Sequence, residues 1–125
     1  MGNLLNLFYF KPLLPMGGRS DTITISGFSS GSMMSMTLHV IYSETFKGAG
    51  LLMGESYYTP DYDDDVEVIS DENLPLEEMT ANSIEKAEEY FADGMIDDPD
   101  NLQGAPVFIL SGLVDDVVPP KMQQS

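Results

Sequence analysis

The chain has no cysteine, no tryptophan and few basic residues: its 125 residues include five Lys and Arg and a single His. The lack of cysteine excludes disulfide bridges, thiol nucleophiles and thiolate-bound metals. The five basic residues are outnumbered by 21 Asp and Glu residues, which gives a net charge of −16. Proteins bind nucleic acids and anionic membranes through basic patches, so we expect neither partner.

Long apolar runs are also scarce. Residues 4–10 (Leu-Leu-Asn-Leu-Phe-Tyr-Phe) are apolar, but they are far too few to span a membrane. As a signal peptide the start of the chain has a short apolar core and no basic region before it. Met1-Gly2 suggests myristoylation, although Asn6 stands where Ser or Thr is expected. We interpret residues 1–19 as a leader or a poorly ordered segment, with a first strand as the alternative.

What remains is the composition of one ordinary globular domain. A chain of 125 residues holds one domain at most, and an apolar fraction of 42% is too high for wholesale disorder. The acidity is uneven, because residues 1–60 hold only three of the 21 acidic residues. We therefore predict an incomplete domain over residues 20–125 with an exposed acidic insertion near residues 55–73.

The most informative motif is Gly27-Phe28-Ser29-Ser30-Gly31, which has the pattern G-x-S-x-G. The β-branched run before it predicts a strand over about 22–26, and the periodic apolar residues after it predict a helix over about 30–44. Strand, tight turn and helix form the context of a nucleophile elbow. In that context Ser29 is the nucleophile and the Ser30 N–H faces the oxyanion. The motif also occurs by chance in Gly- and Ser-rich loops, but its flanks favour catalysis. The apolar face predicted for the helix comprises Met33, Met34, Met36, Leu38, Val40 and Ile41.

Three further segments predict the rest of the fold. Residues 49–53 are typical of a short buried parallel strand closed by Gly54. A helix is expected to begin near Pro75 and to end at Gly94. Residues 107–110 predict a last buried strand. This alternation predicts an α/β fold with about three parallel strands and crossover helices. The stripe expected to face the core of the second helix comprises Leu76, Met79, Ile84, Ala87 and Phe91.

A carboxylate follows the last predicted strand. Asp115 lies three residues after Gly112, and catalytic groups of open α/β sheets gather at the carboxyl ends of strands. A hydrolase presents there the acid that orients its histidine. The order Ser29 then Asp115 is that of α/β-hydrolases, with Asp116 as the near alternative. The competing interpretation is a solvated loop acid, which is common in so acidic a chain.

These motifs together resemble the poly(3-hydroxybutyrate) depolymerase family of α/β-hydrolases. The similarity runs from about residue 20 to the end of the chain. It implies a partial α/β-hydrolase sheet and an extracellular-type serine esterase that cleaves hydroxyalkanoate esters or polyesters without cofactor or metal. It also implies a secreted or lysosomal location, Ser29 as nucleophile and Asp115 as triad acid. The segments that carry the resemblance, besides the G-x-S-x-G motif, are Leu38–Ser43, Phe46–Gly50, Ile96-Asp97, Asn101-Leu102, Ser111-Gly112 and Val118-Pro119.

Two features depart from the family pattern. Gly54-Glu55-Ser56-Tyr57 replaces the usual Gly-Gly-Pro-Tyr, so Glu55 would bring a charge close to the rim of the active site. The family's histidine follows its Asp, whereas the ten residues after Asp115 contain none. The single histidine, His39, lies on the predicted helix about 15 Å from Ser29 along its axis. A general base must come within about 3 Å of the hydroxyl, so His39 is not expected to be that base.

The acidic run over residues 61–72 resembles a calcium-binding EF-hand loop in its spacing of acids. Val66 stands where such a loop needs glycine, and Pro60 and Pro75 disfavour flanking helices, so a solvated insertion is the preferred interpretation. Three functions therefore stay open: a serine esterase of which this chain is a fragment, a catalytically inactive relative that binds a ligand or partner through the same cleft, and an acidic cation-binding module.

Overall fold

The architecture is a small parallel sheet with crossover helices. A computed structural model describes residue 14 and residues 16–58 and 75–123. Its three strands, β1 (Ile25–Phe28), β2 (Ala49–Leu52) and β3 (Val107–Leu110), are parallel and lie in the order β1-β2-β3. The two helices are α1 (Ser30–Ile41) and α2 (Leu76–Ala92). The predicted partial α/β fold is thus confirmed.

Both helices lie on the same side of the sheet. Two successive right-handed crossovers in one direction place their helices on one face. In agreement, α1 packs on β1 and β2, and Val40 of α1 joins Ala87 of α2 and Tyr57 in one buried cluster. The strand residues turned toward this side, Ala49 and Leu51, are buried. The core therefore lies between the helices and one face of the sheet.

The opposite side of the sheet has no helix over it among the described residues, and we call it the open face. Side chains alternate along a strand, so the paired rows of β1, β2 and β3 define which residues point to it. Two of its apolar members are well exposed, Phe28 at 63% and Phe108 at 62%, while Leu52 on the central strand is half-buried. The open face comprises Ser26, Phe28, Gly50, Leu52, Phe108 and Leu110.

The prediction that β3 is buried was wrong. All four of its residues are exposed, including Val107 and Ile109 on the helix side. The reason is its position: β3 is an edge strand, α1 covers β1 and β2, and α2 meets α1 through the cluster of Val40, Tyr57 and Ala87. An apolar run indicates a strand that could be buried on both faces. Its burial also requires helices that pack on each face of the sheet, and the run does not predict these.

The boundaries of β1 and the end of α1 differ from the prediction by two or three residues. β1 begins at Ile25 rather than near residue 22, because Ser20–Thr22 form a 3₁₀ turn beside the Arg19–Asp21 ion pair. α1 ends at Ile41 rather than at residue 44. There the backbone leaves the helix and is held by the Glu44 N–H, which donates to the Asp97 carboxylate at 3.0 Å.

The buried stripe of α1 is polar, contrary to the apolar face predicted for it. Met34 is exposed, and the buried positions of the helix are Val40 and three polar residues. Ser43, just after the helix, continues their spacing of 3 and 4. Two of the hydroxyls are satisfied: Ser35 donates to the Gly31 carbonyl at 2.7 Å and Ser43 to that of Asp98 at 3.0 Å. The buried Ser32 hydroxyl has no hydrogen-bond partner among the described residues. Small side chains let the helix lie close to the sheet. The polar stripe comprises Ser32, Ser35, His39 and Ser43.

Two further packing predictions were wrong in part. On α2, Met79 and Ala87 are buried as expected, but Ile84 and Phe91 are exposed. Tyr57 was expected in an exposed loop and is buried, where its carbonyl accepts a 2.6 Å hydrogen bond from the Ser83 hydroxyl. The spacing of apolar residues in one sequence shows that a segment is helical. It does not show how many of those residues the rest of the fold covers.

Some predictions fall outside the described residues. The suggested leader lies mostly in residues 1–13, and most of the acidic insertion with its calcium-type spacing lies in residues 59–74. Within the described ranges, no three acidic or His side chains converge as metal ligands, and neither helix is long and apolar enough to cross a membrane.

His39 makes the stability of the fold dependent on pH. It is 3% exposed, its Nε2 has no hydrogen-bond partner among the described residues, and burial lowers its pKa. The unfolded chain therefore binds a proton more readily, so stability is complete above about pH 6.5 and decreases as the pH falls toward the lowered pKa. We expect the urea midpoint to fall between pH 7.5 and pH 5.5 by less in His39→Gln than in the parent. An equal decrease in both would contradict this.

Candidate active site

The backbone of Ser29 marks the turn between β1 and α1. Its φ of 54° and ψ of −124° lie in a region that residues with a Cβ rarely adopt. Such a conformation costs about 1–3 kcal/mol and persists where the surrounding structure enforces it. It is the strained strand-to-helix turn that a nucleophile elbow requires. The Ser29 side chain is half-buried and does not cap the helix, so its hydroxyl is free to face a substrate.

The first glycine of the motif is required by packing. A Cβ at Gly27 would overlap the carbonyl of Gly31 and would lie 2.7 Å from the Ser32 nitrogen. The end of β1 thus packs directly against the first turn of α1. A Cβ at Gly31 would meet nothing within 4 Å, so the second glycine of the motif has no such role.

The hydrogen bonds around Ser29 leave donors at the start of α1. The Ser29 N–H donates to the Leu52 carbonyl at 2.9 Å, which continues the ladder between β1 and β2. The Ser29 carbonyl accepts from the N–H groups of Ser32 and Met33. The first N–H groups of a helix have no acceptor within it, so that of Ser30 is available beside the Ser29 hydroxyl. This is the geometry expected of an oxyanion donor.

Asp115 holds an ordered carboxylate after β3. Its Oδ1 accepts hydrogen bonds from the N–H groups of Val117 and Val118, both at 3.0 Å. These two bonds lower the pKa of Asp115, and the bond from Val118 has the larger effect. Its Oδ2 makes no hydrogen bond among the described residues. Asp116 is exposed and makes no such turn, so the geometry favours Asp115 of the two candidates.

Ser29 follows β1 and Asp115 follows β3, so both come after the carboxyl ends of strands, at the same end of the parallel sheet. One strand, β2, separates these two, and strands are spaced about 4.8 Å apart, so the strand axes lie about 10 Å from each other. An imidazole with a hydrogen bond of about 3 Å at each nitrogen spans most of such a gap. Asp115 lies five residues beyond the end of β3, so the strand spacing sets the scale of the gap and not the distance between the two side chains.

The histidine that the chain does contain lies elsewhere. His39 is in the last turn of α1, at the end of the helix remote from Ser29, and is buried in the polar stripe. No other histidine exists in the 125 residues. The candidate site thus offers a serine for the role of nucleophile, an N–H donor and a carboxylate, and these residues include no histidine to act as general base.

Sequence reasoning missed one contact that supports the site. A Cβ at Gly54, which was expected only to close β2, would overlap Ser32 and lie 3.2 Å from the Met33 nitrogen. The loop after β2 thus packs directly on the first turn of α1. The signal was present, since a glycine at the carboxyl end of a strand often marks a close backbone approach.

A pair of substitutions tests the turn that orders Asp115. Asp115→Asn keeps an oxygen that accepts from Val117 and Val118, so we expect their amides to exchange as slowly as in the parent. Asp115→Ala removes the acceptor, and we expect exchange at both amides to accelerate several-fold. Hydrogen exchange followed by NMR measures this. Equal exchange in the two variants would show that the carboxylate does not order the loop.

One curated protein gives the comparison that bears on this site. The chain is 35% identical over 96 residues, 76% of its length, to a poly(3-hydroxybutyrate) depolymerase of Delftia acidovorans. The match covers 19% of that protein, so the chain spans about a fifth of the relative's length. No protein-family model and no solved structure matches the chain. The chain is thus a distant relative of a depolymerase across a stretch that contains most of the described fold.

Proposed function

We propose that this chain carries the nucleophile and acid of a serine ester hydrolase that acts on polyester or hydroxyalkanoate ester substrates. The observation that carries the proposal is the backbone of Ser29, strained at the turn from a parallel strand into a helix. The similarity to a depolymerase supports the ester-hydrolase class, and the name of that relative suggests the polyester substrate.

In the proposed reaction, the Ser29 Oγ attacks the carbonyl carbon of the ester and its proton passes to a base. The oxyanion that forms accepts a hydrogen bond from the Ser30 N–H. Collapse of this intermediate breaks the acyl C–O bond, the base returns the proton to the departing alcohol, and water later releases the acid. Asp115 holds the imidazole in the orientation and tautomer that accept the Ser29 proton. That imidazole comes from outside the residues of this chain.

Added imidazole tests the proposal, because it can occupy the position between Ser29 and Asp115. We expect imidazole to raise hydrolysis of p-nitrophenyl butyrate by the parent chain above the rate of imidazole alone. The matched controls are adjacent serines: Ser29→Ala abolishes this increment, and Ser30→Ala retains it because its backbone N–H remains. An increment that survives in Ser29→Ala would contradict Ser29 as nucleophile.

The second candidate is a catalytically inactive relative that binds an ester or a partner through the same site. The absence of any histidine near Ser29 favours it, since serine without a base is a weak nucleophile. Two results together would identify such an inactive relative. Imidazole would not raise the rate of ester hydrolysis, and a short hydroxybutyrate oligomer would still shift the NMR signals of residues 29–33.

A further inference from the structure

We infer that the open face of the sheet is a docking surface for the chain's own N-terminal segment, residues 4–10. The face is apolar over Phe28, Leu52, Phe108 and Leu110, and no described element covers it. Parallel sheets occur almost only with both faces covered, so an occupant is expected. This inference is independent of the proposed function.

The shape of the face suits an apolar segment. Beside the exposed ring of Phe108 lie the small residues Ser26 and Gly50, and a Cβ at Gly50 would come within 3.1 Å of the Ser26 Cβ. A groove of about 340 Å³ opens there, at the amino ends of the strands. Large side chains could enter the groove while their neighbours rest on Leu52 and Leu110.

The N-terminal segment meets the requirements of composition and reach. Six of its seven residues are apolar. Residues 16–24 are described in the structure and lead into the amino end of β1, where the groove opens. The five residues before them, 11–15, can extend to about 17 Å. The sheet is only about 10 Å wide between its outer strands. Seven residues span about 10 Å as a helix and about 23 Å as a strand, so the segment can cover the face in either form.

Charge argues against the other occupants. Lys11 is the one side chain of residues 1–13 that is charged at neutral pH, and it is positive in a strongly acidic chain. Residues 59–74 also lie outside the described ranges, but they carry seven acidic side chains, whose burial on an apolar face would be costly. A second copy would bring a further net charge of −16 to the contact. The N-terminal segment is therefore the occupant that the composition favours.

A paramagnetic label tests the contact in the full chain, which has no native cysteine. A nitroxide on Phe108→Cys lies on the open face, whereas one on Ile84→Cys lies on α2, on the other side of the sheet. The two positions are matched in exposure, at 62% and 54%. We expect the label at position 108 to broaden the amide signals of residues 4–10 severalfold more than the label at position 84. Equal or absent broadening would overturn the inference.

Two further measurements exclude the alternatives. In a mixture of labelled chain and isotope-enriched unlabelled chain, we expect no broadening; broadening there would mean that a second copy covers the face and would overturn the inference. In the full chain, Leu7→Asp with Phe8→Asp places charge in the segment without touching the described core. We expect this variant to increase the fluorescence of a hydrophobic dye severalfold, and an unchanged signal would also overturn the inference.

Discussion

We expect Gly27→Ala to lower the free energy of unfolding of the chain strongly. The added methyl would overlap the Gly31 carbonyl and approach the Ser32 nitrogen to 2.7 Å, and both atoms belong to the backbone of the first turn of α1. No side-chain rotation relieves such a contact, so either β1 or α1 must move. Overpacking of this kind costs about 3 kcal/mol or more, a large part of the stability of a small domain.

Gly31→Ala is the matched control in the same motif. Its methyl meets nothing within 4 Å, and alanine is the better helix former. We expect the free energy of unfolding of this variant to lie within about 1 kcal/mol of the parent, on the stabilising side. Urea unfolding followed by circular dichroism measures both variants. If alanine at both positions changed the free energy of unfolding equally, β1 would not pack closely against α1 as described.

The class of fold and the turn from strand to helix at Ser29 could be predicted because their signals are local. The β-branched run, the glycines and the helix periodicity all lie within 25 residues around Ser29, and they agree with one another. β3 was predicted with its observed bounds, Val107–Leu110, because an apolar run between Pro106 and Gly112 has clear ends. Asp115 was proposed from its position after that strand, and the structure adds the turn that orders it.

The packing could not be predicted, because it depends on residues distant in sequence. The exposure of β3 follows from its place at the edge of the sheet, which no local pattern reveals. The buried face of α1 was placed on methionines, whereas close approach to Gly54 and Asp98 selects serines and His39. The spacing of those polar residues, 3 and 4 apart, was the available signal. Apolar periodicity overrode it because hydrophobicity is the stronger general indicator of burial.

Without added imidazole, we expect the chain to hydrolyse p-nitrophenyl butyrate on the order of 10⁴–10⁶ times more slowly than a serine esterase with a complete triad. The reason is the absence of a base. Ser29 has the backbone of a nucleophile and a neighbouring N–H donor, but its hydroxyl stays protonated unless an imidazole accepts the proton. His39 does not serve, because it is buried about 15 Å away along α1.

Two variants make this expectation decisive. Ser29→Ala should match the parent when imidazole is absent, because an inactive hydroxyl contributes nothing to the rate. His39→Gln should match it too, because His39 is buried at the far end of α1 from the reacting atoms. Fast turnover that Ser29→Ala abolishes would mean that the chain activates Ser29 by itself. If His39→Gln also abolished it, α1 would have to break between the two residues, and the described helix would be wrong.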